Sequence, residues 1–129
     1  MMGDPDPFVV IVDDDESVGR AIRRLLRSAG IGADTYLSGE ELLDTLSSMP
    51  SYRPGCVILD IQMPGLNGLE VQQRLGGSGI PVILITAHDD VGVRAQALAS
   101  GAFGYLCKPF NDSLLIKTVQ AALGIAPTP

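Results

Sequence analysis

Residues 56–65, Cys56-Val-Ile-Leu-Asp-Ile-Gln-Met-Pro-Gly65, decide how the rest of the chain reads. Cys56–Leu59 is apolar without alternation, and the run stops at an acid, Asp60. A strand with no polar member has no face for water, so it belongs inside a sheet covered on both sides. A turn-rich stretch, Met63 to Gly68, follows. The same grammar returns along the chain. Phe8–Val12 runs into Asp13, Asp14 and Asp15, Pro81–Ile85 ends at Thr86, and Phe103–Cys107 ends at Lys108-Pro109. Ala33–Leu37 adds a shorter strand, second in chain order.

Helical spacing fills the intervals. Val18, Ile22, Leu25, Leu26 and Ala29 form one apolar face, with Arg20, Arg23, Arg24 and Arg27 opposite and Gly30 as a stop. Ser38-x-x-Glu41 is a capping box that opens a helix through Leu46. Leu69, Val71 and Leu75 mark a third helix, broken by Gly76-Gly-Ser-Gly79. Asp89–Ser100 reads as a fourth, with Val91, Ala95 and Leu98 on one face and Gly101 as its stop. Gly92 weakens that helix by roughly 1 kcal/mol relative to Ala. Asn111 caps a last helix through Leu123, and Gly124 ends it. Five strands alternating with five helices predict an α/β fold, a doubly wound five-stranded parallel sheet in the flavodoxin-like order 2-1-3-4-5. The expected domain is 8–124, with 1–7 a disordered tail and 125–129 a linker stub or tail.

Composition narrows the function. The 129 residues are 46% hydrophobic, enough for a real core. The net charge of -6 disfavours a phosphate backbone, so direct nucleic-acid binding is not expected. Aromatics at 5% and no Trp argue against a base-stacking platform. The apolar runs are too short to span a bilayer, and Asp4 and Asp6 sit where a signal peptide would be basic and then apolar. Cys56 and Cys107 lack metal-ligand spacing and read as two reduced, buried thiols of a cytoplasmic protein. His88 is the single histidine, which rules out a histidine cluster for zinc, and is expected at the pocket rim.

Chemistry gathers where the strands stop. In the order 2-1-3-4-5 the strands ending in Asp13-Asp14, Asp60, Thr86 and Lys108 are neighbours, so these residues converge on one sheet edge. Three carboxylates together repel, and a hard divalent cation relieves them; Mg2+ fits, since it takes a few carboxylates and keeps waters. The metal, Thr86 and Lys108 then cradle a tetrahedral anion, and the remaining carboxylate is a nucleophile toward phosphorus. Each residue also has a plainer reading. Asp15 or Glu16 suits a helix cap, Thr86 alone a cap, Lys108 alone a solvated end, and Tyr105 a packing residue.

The chain resembles the receiver domain of bacterial two-component response regulators over about residues 8–123. The matching motifs are Val12-Asp-Asp14, Leu59-Asp-Ile-Gln-Met-Pro-Gly65 with Gly68, Ile85-Thr-Ala87 and Gly101-Ala-Phe-Gly-Tyr-Leu-Cys-Lys-Pro-Phe110. Thr86-Ala-His88 and the Tyr105–Phe110 run look most like FixJ-type transcriptional regulators. The resemblance implies a phosphorylation-controlled switch in which Asp60 takes a phosphoryl group from a sensor histidine kinase. Asp14 and Asp60 would ligate Mg2+ directly, Asp13 mainly through water and Gln62 through its backbone carbonyl. Thr86 and Lys108 would bind phosphoryl oxygens, Lys108-Pro109 would be cis, and Thr86 with Tyr105 would form the switch. Such a domain catalyses only its own phosphorylation and dephosphorylation and regulates an output domain or partner, with transcription as the expected output. In the family the face of helix four, strand five and helix five often dimerises on activation. The arginine row of helix one is read either as a kinase-docking face or as a solvated basic one.

Three other readings compete. Asp13-x-Asp15-x-Ser17 looks like the opening of haloacid-dehalogenase-type phosphatases with Asp13 as nucleophile, but no acidic pair follows Lys108 and Asp60 is left without a role. A pure binding module would hold a cation or a basic partner without chemistry. A flavin carrier suits the fold but not three acids facing a flavin phosphate.

Overall fold

The computed structural model describes residues 7–125. The elements alternate as β1 (Phe8–Val12), α1 (Glu16–Ser28), β2 (Gly32–Tyr36), α2 (Gly39–Ser48), β3 (Cys56–Asp60), α3 (Gly68–Arg74), β4 (Val82–Thr86), α4 (Val91–Ala99), β5 (Gly104–Cys107) and α5 (Asp112–Leu123). The strands form one parallel sheet in the order β2-β1-β3-β4-β5, as the alternation predicts. Alternate residues of the three inner strands feed two apolar layers. Val10, Val12, Val57, Leu59, Val82 and Leu84 face one, closed by Leu42, Val71 and Ala97 from α2, α3 and α4. Val9, Ile11, Ile58, Ile83 and Ile85 face the other, closed by Ile22 and Leu26 from α1 and Leu115 and Val119 from α5.

Each helix begins on a short polar side chain that accepts a backbone N–H: Asp15, Ser38, Asn67, Asp90 and Asn111. At Ser38 the hydroxyl accepts from Glu41 N, as the box predicts. The two-way capping box is recorded one helix later, where Asn67 and Glu70 each accept the other's backbone N–H.

Several boundaries shift by one or two residues. β2 runs from Gly32 to Tyr36, α2 extends to Ser48, and α4 spans only Val91–Ala99, since Asp90 is its cap. β5 starts at Gly104, while β4 starts at Val82 and takes in Thr86. Pro81 has no N–H for the ladder but its carbonyl still accepts from Val57.

Two packing expectations fail. Val91 is 83% exposed, Leu98 50% exposed, and Ala95 exposed as well; α4 packs instead through half-buried Val93 and buried Ala97. The helix is apolar nearly all round, so spacing alone cannot choose a face. On that side the Gln72 Nε2 of α3 donates to the Ala97 carbonyl at 3.2 Å. Cys107 is also only half-buried, unlike Cys56, because β5 is an edge strand. Residues 1–6 and 126–129, most of the expected tail and stub, lie outside the described residues.

Candidate functional site

Parallel strands in register bring their carboxyl ends to one edge. Asp13 follows β1, Asp60 is the last residue of β3, Thr86 the last of β4, and Lys108 follows β5. The carboxylates of Asp13, Asp14 and Asp60 each place an oxygen within 4.8 Å of the others. Asp13 and Asp60 are buried and Asp14 is exposed. The Lys108 Nζ donates to Asp13 Oδ2 at 3.0 Å and lies 3.6 Å from Asp60 Oδ1. Asp13 Oδ1 accepts from Asp15 N at 2.9 Å.

Asp60 bears the electrostatic strain of the cluster. Burial, then the Asp13 charge, push its carboxyl up to about 6, with Asp14 adding to the rise. Lys108 and the Gln62 backbone N–H pull the other way and do not cancel it. A carboxyl at that value is mostly ionised near neutral pH yet poorly solvated, which suits a nucleophile. Behind it, Gly68 donates to the Ile61 carbonyl at 3.1 Å, and a Cβ there would meet the Asp60 carbonyl oxygen at 2.6 Å. Only glycine lets α3 start this close to the end of β3.

Thr86 lies at the edge, but its hydroxyl is engaged with other residues than the acids. Oγ1 lies 2.8 Å from Gln62 Oε1 and 3.1 Å from the His88 carbonyl, and accepts from His88 N at 3.0 Å. The hydroxyl closes a local turn onto the His88 backbone, while the cap of α4, the plainer reading for a lone threonine, is supplied by Asp90. The Gln62 side chain thus reaches Thr86 across the end of the sheet, a contact separate from the metal-ligand reading of its backbone carbonyl. His88 is exposed. Lys108-Pro109 is cis.

Tyr105 sits on β5 opposite Leu84 of β4 and packs against the first apolar layer. Its hydroxyl is buried without a hydrogen-bond partner among the described residues. Arg94 lies over its ring, the guanidinium carbon 4.9 Å from the centroid. No pattern in the sequence pointed to Arg94, because the residues it bridges are loop and strand rather than helix neighbours.

Three hard carboxylate oxygens, two from buried residues, match the donor preference of Mg2+, so the residues present fit the ion. Asp15 and Ser17, the rest of the phosphatase-like motif, are spent on capping α1: Asp15 Oδ1 accepts from Ser17 N at 2.9 Å and from its Oγ at 2.6 Å.

Fold and edge together define a doubly wound α/β domain with an acidic pocket at the carboxyl ends of its strands, and comparison with known proteins gives its family. Residues 9–120 match the response regulator receiver domain family, and the chain belongs to it. It is 37% identical over 118 residues to the transcriptional regulatory protein FixJ of Azorhizobium caulinodans, covering 90% of this chain and 54% of that protein. It is 35% identical over 128 residues to the response regulator protein TmoT of Ectopseudomonas mendocina, covering 98% and 57%. The chain thus spans about half the length of these curated relatives. Among solved structures it is similar to a response regulator receiver protein from Burkholderia phymatum, with 72% identity, a TM-score of 0.88 and coverage of 95% and 99%. The structure of FixJ-N gives 31% identity, a TM-score of 0.81 and coverage of 97% and 99%. The family is regulatory rather than a class of turnover enzymes, and the phosphatase alternative finds no support. No described helix is long and apolar enough to cross a membrane.

Proposed function

We propose that Asp60 is the phosphoacceptor of a signalling switch formed by residues 8–124. The observation that carries this reading is the convergence of Asp13, Asp14, Asp60 and Lys108 on one sheet edge, with Asp60 buried and its carboxyl displaced upward. A carboxylate oxygen of Asp60 attacks phosphorus; the bond from phosphorus to the donor's imidazole nitrogen breaks, and the electron pair leaves with that nitrogen. An acyl phosphate results. Lys108, between Asp13 and Asp60, receives the added negative charge, and the Thr86 hydroxyl can turn from Gln62 and His88 toward a phosphoryl oxygen. Asp13, Asp14, Asp60 and the Gln62 backbone carbonyl would hold Mg2+, which supplies positive charge against the phosphoryl oxygens.

The donor partner in this reading is a sensor histidine kinase. A depression of about 360 Å3 beside Lys108, lined by Val18, Ala21, Leu25, Pro109 and Phe110, offers it an apolar seat. Arg20 and Arg24 are exposed nearby on α1. The readout runs through Thr86 and Tyr105 to the α4-β5-α5 face, where exposed Val91 and Leu98 support dimerisation on activation. The location proposed is the cytoplasm, and the output transcription, as in the relatives named transcriptional regulators. The domain turns over no substrate beyond its own phosphoryl group and does not itself touch nucleic acid.

Incubation with acetyl phosphate and Mg2+ should add one phosphoryl group to the intact mass, and Asp60→Asn should abolish it. Labelling that persists in the variant and maps to Asp13 would sink the proposal; no mass increase in the wild type would favour a binding module.

A further inference from the structure

Arg94, on α4, touches two other parts of the molecule, β5 and the β4–α4 loop. Its guanidinium carbon lies 4.9 Å over the Tyr105 ring on β5. Its Nη2 lies 3.2 and 3.3 Å from the two Asp89 carboxylate oxygens, and 3.9 Å from Cys107 Sγ. Asp89 belongs to the loop between β4 and α4, and the start of that loop is fastened by Thr86, whose hydroxyl contacts both the N–H and the carbonyl of His88. A continuous set of contacts therefore runs from Thr86 through the loop to Arg94 and on to the ring.

The tip of the ring offers no competing anchor. The Tyr105 hydroxyl has no hydrogen-bond partner among the described residues. What holds the aromatic here is packing on one side and the guanidinium on its face.

We infer that Arg94 is a positioning residue that locks Tyr105 and the β4–α4 loop into the resting arrangement, so that loop and ring change state together. This rests on the reading of Asp60 as phosphoacceptor. When a phosphoryl group draws the Thr86 hydroxyl away, His88 loses the contacts that fasten the loop, and Asp89 shifts relative to β5. Arg94 then cannot keep both Asp89 and the ring. The lock opposes activation, and its removal shifts the population toward the activated state.

Beryllofluoride with Mg2+, standing in for the phosphoryl group, tests this on the full chain. The readout is tyrosine-ring NMR, which three tyrosines and no tryptophan make tractable. Tyr105→Phe assigns the ring. In the resting protein, Arg94→Gln should move the Tyr105 ring signals. It should also tighten the apparent beryllofluoride affinity by about three- to tenfold, the scale of one exposed cation–π contact plus one exposed ion pair. Asp89→Asn should tighten it in the same direction, and the double variant should gain less than the sum, because both break one lock. Arg94→Lys keeps the charge and should lie between. Both residues are about half exposed, so the variants should fold, and the spectra of the remaining residues check this. Unchanged affinity in Arg94→Gln, or independent additive effects of the two substitutions, would overturn the inference while wild-type binding leaves the site reading intact. A wild type that takes up no beryllofluoride defeats the phosphoacceptor reading, and the lock with it.

Discussion

The Lys108 ammonium is held by Asp13, at 3.0 Å, more closely than by Asp60, at 3.6 Å. The site's fixed cation thus neutralises the aspartate that follows β1 and leaves the one that ends β3 underserved. Asp60 accordingly keeps a raised carboxyl despite a lysine within reach. A lysine bound symmetrically to both would blunt Asp60 as the proposed nucleophile.

Lys108→Met therefore has two expected effects. It strands Asp13, whose side chain is 1% exposed, and should cost about 3 kcal/mol in urea unfolding without metal, with part recovered on adding Mg2+. It also removes the charge that restrains Asp60, so the Asp60 carboxyl, followed by carbon-detected NMR, should titrate above about 6. A variant as stable as wild type would mean that the Lys108–Asp13 contact carries little.

The pH dependence has a defined sign. The folded-state value of Asp60, about 6, lies above its ordinary value of 3.8. Between these values the folded protein keeps a proton that the unfolded chain has lost. This stabilising contribution is fully present below the lower value and disappears as pH rises through the upper one. Asp60→Asn keeps the shape and removes the ionisation. Its stability advantage over wild type, measured without metal, should be near zero at about pH 4 and reach about 2–3 kcal/mol at about pH 7. A difference that stays flat over that range counts against a raised Asp60.

Metal should act through the same group. At a Mg2+ concentration of about 100 times the dissociation constant, wild type should gain about 2.7 kcal/mol, and a chelator should reverse it. Asp14 has no salt-bridge partner among the described residues, whereas Asp13 already shares Lys108. Asp14→Ala should therefore weaken Mg2+ binding more than Asp13→Ala, as read by calorimetry. Equal affinity in wild type and Asp14→Ala would remove Asp14 from the ligand set.

Gly68 can be tested as the wall behind Asp60, the proposed nucleophile. Its alanine variant would drive a Cβ into the Asp60 carbonyl at 2.6 Å and the Ile61 Cα at 2.9 Å, backbone atoms that cannot swing away. A loss of about 2 kcal/mol or more and slower labelling by acetyl phosphate are expected. Gly32→Ala, with nothing within 4 Å of the new Cβ, should stay within about 0.5 kcal/mol of wild type. Equal stability of the two variants would show that α3 can retreat from β3.

Much of this was legible in the sequence, for a physical reason. Apolar runs that stop abruptly at a polar residue encode both a buried parallel strand and where it ends, so the sequence alone places Asp13, Asp60, Thr86 and Lys108 at one edge of the sheet. The face of α4 was not legible, because Val91, Val93, Ala95, Ala97 and Leu98 offer two apolar stripes and spacing alone does not choose between them. Nor was the contact of the Gln62 side chain with Thr86, or the place of Arg94 above Tyr105. Those contacts join residues whose separation in the chain follows neither helical nor strand periodicity.

The two aliphatic layers on either side of the sheet have a consequence for alignment. Sliding β4 by one position would trade Leu84 for Ile85 and Ile83 for Leu84, and each layer would still receive a branched aliphatic side chain. Oil sorting, which corrects such slips in sheets with one wet face, has nothing to read here. What resists the slip is the punctuation at the strand ends: dragging Asp60 or Thr86 inward would bury a charge or a hydroxyl away from its partners. The residues proposed to carry the chemistry thus also help keep the strands in frame, and a substitution among them is expected to loosen strand alignment as well as to affect the proposed switch.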